Sequence, residues 1–284
     1  MTLRTSTRRI LPDTVRRVSD MMENHQTYWN KFLGIDLFKV KYYAKLLLYK
    51  YAGIKLPKLK SQKDYWKDRG QVYMDEIIAS GYLDREVYFQ DMLVDKLRQL
   101  DFESFFEAGC GFGWNIKRIR QAFPSVRVSG LDFSVTQLLN SNHYLKDLKI
   151  PVVNGDNCIM PFKDNSFDVG FSLGVFMNIH PSKIRLALQE MIRVCRKYVI
   201  HMEYDENNTT PELREKRAFK TNIVSHDYKN LYDNLGMRIV SFLTFKDFGD
   251  DYRAHAGNIK SNLNRWEGFE GPEKYIFILV EVIK

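Results

Sequence analysis

Between residues 103 and 204 the chain alternates between two hydrophobic rhythms. Short apolar runs of strand length, such as Phe105–Phe106 and the stretch ending Gly130-Leu131, are followed by segments with an apolar residue every third or fourth position. Trp114, Ile116, Ile119 and Phe123 form one such stripe, and Ile184, Leu188, Met191 and Cys195 form another. A run of strand length followed by a 3.6-residue period, repeated, predicts βα units and therefore a parallel, doubly wound sheet. The expected strands are 103–108, 126–131, 151–154, 167–173, 198–204, 237–245 and 275–283, with helices over 114–123, 134–146, 182–196 and 225–235. Gly236 supplies a stop for the last helix. Glu86 to Leu100 adds an amphipathic helix through Phe89, Leu93 and Leu97. Before it, residues 62–81 carry Tyr65, Trp66, Arg69 and Tyr73 at helical spacing, preceded by a linker over Pro57 to Ser61. Two polar excursions, about 205–224 and 246–273, fall outside the alternation and are expected to form a substrate cap.

Residues 103–113, Glu-Ser-Phe-Phe-Glu-Ala-Gly-Cys-Gly-Phe-Gly, are where the first strand must break into a turn and open a helix. Glycines at 109, 111 and 113 allow a sharp turn and let a ligand lie on bare peptide groups, beside the unpaired N–H donors of a helix N-terminus. A dinucleotide fingerprint would require Gly or Ala at position 114, where this chain has Trp. An acid two residues before the first glycine, with glycines at every second position, instead resembles motif I of the class I (Rossmann-like) S-adenosylmethionine-dependent methyltransferases.

That resemblance covers residues 86–204 well and the remainder in outline. It implies a seven-stranded, mostly parallel sheet with an antiparallel last strand, and S-adenosylmethionine as cofactor. Ligands of open α/β sheets bind beyond the carboxyl ends of the strands, and those ends carry a series of acids. The first ends in Glu107, the second in Asp132-Phe133, 19 residues beyond Gly113, and the third in Gly155-Asp156-Asn157. A carboxylate offers two acceptors to a vicinal diol such as a ribose. By the resemblance, the cofactor contacts are Glu107, Gly109, Cys110, Gly111, Gly113, Asp132, Phe133, Asp156, Asn157 and Leu173. Residues 161–168, Pro-Phe-Lys-Asp-Asn-Ser-Phe-Asp, resemble the family's approach to its fourth strand.

The acceptor side is less regular. Many small-molecule members of the family have Glu-His where this chain has Met177-Asn178, and an asparagine orients a substrate without taking its proton. His201 and Glu203, two apart on the fifth strand, share a face. They read as a base with its orienting acid, as a metal-ligand pair, or as a packed pair beneath the 205–224 insertion; no metal is expected. The base candidates, in order, are His201, His180 and His255. Asn178, Glu203, Tyr252 and Arg253 are the substrate candidates.

Composition narrows the partners. The chain has 284 residues and a net charge of +8, but residues 1–60 hold 13 Lys+Arg against 4 Asp+Glu, leaving 30 against 31 for the rest. The basicity thus belongs to a helical N-terminal extension, residues 1–60, and not to the methyltransferase-like domain over 61–284. Within it, residues 31–56 interleave aromatics, leucines and lysines. Such a segment suits an anionic membrane surface, or packs on the protein's own body with its lysines snorkelling. No RRM, KH or helix-turn-helix pattern organises the charge, so nucleic acid is not an expected partner. Three cysteines without paired spacing and no apolar leader fit a cytoplasmic protein. The expected function is methyl transfer to a small molecule, a sugar or a lipid-linked glycan, on O or N. The alternative is a non-catalytic scaffold or cofactor sensor docked through the basic extension.

Overall fold

The computed structural model describes residues 31–32, 35–36, 44, 47–48, 51–52, 62–79, 83, 87–208, 223–250 and 275–284. The chain divides into two compact units, residues 1–57 with 75–81, and residues 58–74 with 82–284. In the first, two dipeptide strands, β1 (Lys31–Phe32) and β2 (Ile35–Asp36), pair antiparallel. Helix α1 spans Gln62–Ala79.

The second unit is built on a seven-stranded sheet: β3 (Ser104–Ala108), β4 (Arg127–Asp132), β5 (Val152–Asn154), β6 (Phe167–Leu173), β7 (Cys195–Tyr204), β8 (Arg238–Thr244) and β9 (Tyr275–Glu281). Their order across the sheet is β5-β4-β3-β6-β7-β9-β8. Pairing is parallel from β5 to β7, while β9 runs antiparallel to both of its neighbours. Strands β3, β4 and β5 progress one way across the sheet and β6 and β7 the other, so the direction reverses between β3 and β6. A crevice opens at the carboxyl ends on either side of such a reversal.

Strand alternation sends side chains into two apolar layers. Phe105, Val169, Phe171, Ile200 and Phe277 pack with α2 (Val87–Leu97) and α3 (Trp114–Ala122) on one face. Phe106, Val199, Ile276 and Ile278 pack on the other with α5 (Pro181–Val194) and α6 (Tyr228–Asp233). Helix α4 (Val135–Tyr144) follows β4, capped by Ser134, whose hydroxyl accepts from the Gln137 N–H.

Element ends differ from the hydrophobic pattern by up to three residues, and two of these differences have a visible cause. Cys195 extends the apolar stripe of α5, yet it is already extended (φ −96°, ψ 143°) and begins β7 with no intervening turn. The last helix begins at Tyr228, not 225, because His226 is held in a bridge to Asp205 and Asp227 caps the helix. Among the described residues, no helix is long and apolar enough to cross a membrane.

Candidate functional site

At the reversal point the turn after β3 and the turn after β6 meet. Gly109 has φ +80°, and a Cβ there would overlap Val175 Cγ1, so the two turns touch directly. Gly111, at φ +54°, has nothing within 4 Å of where its Cβ would be. The backbone there is bare and faces a cleft of about 690 Å³, its open mouth included. Glu107, Gly109, Cys110, Gly111, Phe112, Trp114 and Asn115 line it from the β3 side, Asp132, Phe133 and Gln137 from the β4 side, and Leu173, Gly174, Val175 and Asn178 from the β6 side.

Trp66 and Tyr73 complete the lining. Asn140 donates its amide to the Gly70 carbonyl (2.9 Å), and Gly70 lies so close to α4 that a Cβ would sit 3.2 Å from Ser134 Oγ. This docking presents the two aromatics to the cleft. Their rings meet edge to face at 5.5 Å, and Tyr73 reaches Phe112 at 6.1 Å.

The cleft's polar end is centred on Glu107, which is 1 % exposed. Its Oε1 accepts from Asn115 Nδ2 at 2.7 Å, and Asn115 Oδ1 accepts from Gln90 Nε2 at 3.0 Å, which fixes the direction of the amide. Its Oε2 is buried with no hydrogen-bond partner. Burial pushes this carboxyl up to about 8, opposed by the Asn115 amide, raised further by Asp132 and lowered a little by the nearby Ile116 N–H. Asp132 takes the Gly111 N–H on Oδ2 (2.9 Å) and the Ser134 N–H on Oδ1 (2.8 Å). Each oxygen keeps a further lone pair for a ligand. Burial raises this carboxyl too, against those two donors.

S-adenosylmethionine fits these residues. A buried carboxylate oxygen without a donor suits an ammonium group, and bare backbone at Gly111 suits a close-lying ligand. A carboxylate on the neighbouring strand end suits two hydroxyls. Helix α3 has Gly113 at its N-cap with no side-chain cap, so its positive end faces the glycine turn.

Other expected site residues are placed elsewhere. Gly113 is a packing glycine: a Cβ there would lie 2.6 Å from Leu145 Cδ1. Asp156 and Asn157 stand beyond β5, outside the lining of this cleft, and Asp156 Oδ1 turns back to accept from the Cys158 N–H. His180 is exposed and caps α5, its Nδ1 accepting from the Ser182 N–H, so it does not face the cleft. Tyr65 has no described side chain, and Tyr252, Arg253 and His255 lie outside the described residues, as do residues 209–222 and 251–274 of the two excursions.

His201 and Glu203 require the main correction. Both are wholly buried, on the face of β7 covered by α5 and α6. His201 Nε2 pairs with Tyr232 Oη at 2.6 Å and its Nδ1 with Ser172 Oγ at 2.7 Å, and burial pushes the ring down to about 3. A neutral imidazole with both nitrogens engaged and no path to the cleft is neither a base for an acceptor nor a metal ligand. Glu203 accepts from Ser172 Oγ (2.8 Å) and from the N–H groups of Val175, Phe176 and Met177 (2.9, 3.0 and 3.2 Å). It therefore contacts the turn from beneath rather than a substrate from above.

The residues that pattern reasoning missed are Asn115 and Gln137, polar groups buried within helices α3 and α4. Their one signal is a polar side chain on an otherwise inward-facing helical stripe.

Residues 105–198 match a family model described as a methyltransferase domain. Squalene methyltransferase 1 of Botryococcus braunii is 28% identical over 116 residues, which is 36% of this chain and 30% of that protein. Among solved structures, a chain of the complex between the Haloferax volcanii Trm112 methyltransferase activator and a methyltransferase aligns with TM-score 0.56 at 18% identity, over 79% of this chain and 99% of that one. Geranyl diphosphate C-methyltransferase of Streptomyces coelicolor A3(2), solved with Mg2+, geranyl-S-thiolodiphosphate and S-adenosyl-L-homocysteine, aligns with TM-score 0.54 at 15% identity, over 70% of this chain and 76% of that one. At these identities the structures share the fold.

Proposed function

We propose, from the match of residues 105–198 to a methyltransferase domain and from the cleft described above, that the protein is a class I S-adenosylmethionine-dependent methyltransferase that transfers a methyl group from S-adenosylmethionine to a small-molecule acceptor. The observation that carries the reading is Glu107 Oε2, buried without a partner in the wall of the cleft that also holds Gly111 and Asp132. When bound, the cofactor supplies an activated methyl on its sulfonium. The chain's own residues bind and align. Glu107 takes the ammonium group, Asp132 the ribose hydroxyls, and the backbone of the Gly109–Gly113 turn the remaining polar end. Asn115 and Gln90 hold Glu107 in position. Trp66, Tyr73 and Phe112 exclude water from the open side, so the acceptor's nucleophile meets the donor in a fixed orientation.

The aromatic lining favours an acceptor with an apolar part. Two of the similar proteins are named for isoprenoids, squalene and geranyl diphosphate, so an acceptor screen begins there and extends to sugars and lipid-linked glycans. Among the described residues no histidine lines the cleft. A neutral amine needs none; a hydroxyl needs a base to take its proton, and an alkene needs one to take the proton that the methylated cation loses, a role for which His255 is a candidate. Docking of residues 31–56 on an anionic membrane surface belongs to the same proposal, supported by exposed Leu47, Leu48 and Tyr51.

Calorimetric titration of S-adenosylmethionine and S-adenosylhomocysteine tests the cofactor reading. Micromolar binding, lost in Asp132→Ala, is the expected result. A folded protein that binds neither refutes it.

A further inference from the structure

We infer that Glu203 is a positioning residue for cofactor binding: its carboxylate, on the far face of the sheet from Glu107, holds the turn that forms one wall of the cleft. The inference rests on the cofactor reading proposed above. Leu173, Gly174, Val175 and Asn178 all line the cleft, and Val175 fills the space over Gly109. A displaced turn therefore displaces the glycine loop as well.

Within the turn, Asn178 Nδ2 donates to the Gly174 and Val175 carbonyls (3.3 and 3.2 Å). The Asn178 and Ile179 N–H groups donate to those of Val175 and Phe176 (2.9 Å each), which ties the turn's carbonyls but leaves its leading N–H groups to be met from outside. The turn contains a three-residue 3₁₀ segment, Phe176–Asn178, with no side-chain cap at its start. So short a helix closes few hydrogen bonds of its own, and its first N–H groups need outside acceptors. Strand register brings one. Ser172 stands opposite His201 and Leu173 opposite Met202, so Glu203 falls at the point where β6 has ended and the turn begins. Its two oxygens collect the successive N–H groups of Val175, Phe176 and Met177. The turn's carbonyls are tied from the other side, Met177 O by the Val224 N–H (2.8 Å) and Phe176 O by His226 Nε2 (3.2 Å).

The carboxylate is itself held by a directed series of donors. Ser172 Oγ gives its proton to Glu203 Oε1, which leaves it to accept from His201 Nδ1–H. His201 Nε2 then accepts from the Tyr232 hydroxyl. Every neighbour of Glu203 in this set is a donor, the arrangement that suits an ionised acid. An amide in its place would set its NH₂ against at least one backbone N–H.

The test is S-adenosylhomocysteine affinity in the full chain, read by calorimetry well below the melting temperature of each variant, with that temperature measured alongside. Glu203→Gln is expected to weaken binding about tenfold, and Ser172→Ala, which removes one of the four donors, about threefold. Tyr232→Phe, at the far end of the series, is expected to lower the melting temperature and leave affinity within about twofold. Amide hydrogen exchange at residues 175–177 should quicken in Glu203→Gln. Folded Glu203→Gln that binds with wild-type affinity overturns the inference, because Glu203 then serves stability alone. If Glu203→Gln does not fold, unchanged affinity in Ser172→Ala overturns it in the same way. A wild-type protein that binds no cofactor overturns the cofactor reading instead, and this inference with it.

Discussion

Glu107 and Glu203 occupy matching places, each the next-to-last residue of a strand and each 1 % exposed or less. Their surroundings diverge. Glu107 faces the layer of α2 and α3, has one side-chain donor on Oε1, and leaves Oε2 unpaired in the cleft wall. Glu203 faces the layer of α5 and α6 and has four donors. Burial raises both, Glu107 to about 8 and Glu203 to about 7. A raised acid therefore does not by itself mark a ligand site. The count of donors separates an acid waiting for a cation from one that is already fully engaged, and the open cleft supplies the second criterion.

The largest effect should come from Asp132, which shares the cleft with Glu107. Its loss removes the carboxylate proposed to take the ribose hydroxyls and also leaves the Gly111 and Ser134 N–H groups without that partner. Asp132→Ala should weaken cofactor binding by about 100-fold or more, given roughly 1.5–3 kcal/mol per hydrogen bond to a charged group. Retained binding in the calorimeter would place the ligand somewhere other than this cleft.

Next in size is Glu107→Gln, expected to weaken binding about tenfold through loss of the charge facing the ammonium. The wild type adds a pH signature. With the free carboxyl titrating near 8, binding of a cation at pH 7 must release a proton from Glu107. Affinity should then rise with pH up to about 8, and titrations in buffers of different ionisation enthalpy should show that proton leaving. The Gln variant should show neither effect. A flat wild-type profile between pH 6 and 8 would remove Glu107 from ligand binding and dissolve its contrast with Glu203.

What could be read from the chain follows the same division. The Glu107–Gly113 turn and Asp132 are legible because their meaning is local: acid, glycine spacing and strand end lie together in sequence. The seven strands were likewise within reach of the apolar rhythm, whereas the antiparallel insertion of β9 was implied only by the family resemblance. His201 and Glu203 were not. On a central strand both faces are buried, so alternation says that they share a face without saying whether that face meets the cleft or a layer of helices. Only α6, through Tyr228 and Tyr232, settles it. Trp66 and Tyr73 reach the cleft through the contact of Gly70 with α4, a meeting of segments about 65 residues apart that no periodicity encodes.

A smaller, opposite effect concerns stability. The carboxyl of Glu107 is held above its ordinary value by the fold, so its protonated form favours the native state. That contribution is fully present below about 4.5 and is lost as pH rises through about 8. Glu107→Gln, which keeps the shape without the charge, should therefore melt higher than wild type above pH 8, by several degrees. Thermal melts at pH 6 and pH 9 check it: the difference between the two proteins should grow with pH. An equal difference at both would mean that Glu107 is ionised throughout.

His180 gives the smallest expected change and closes the contrast between engaged and waiting groups. It sits just past the turn that Glu203 holds, close in sequence to Asn178, and for that reason it invites reading as a base. The ring is exposed, however, and its Nδ1 is occupied at the start of α5, where it accepts from the Ser182 N–H while Pro181 fills the first helical position. A cap exposed to water is readily replaced by solvent. His180→Ala should cost about 0.5–1 kcal/mol of stability, with cofactor affinity and methyl-transfer rate unchanged. A variant with the wild-type melting temperature but a large loss of turnover would reverse the assignment. The acceptor's proton would then leave through a residue that this structure shows facing away from the cleft, and α5 would have to reorient for the reaction to proceed.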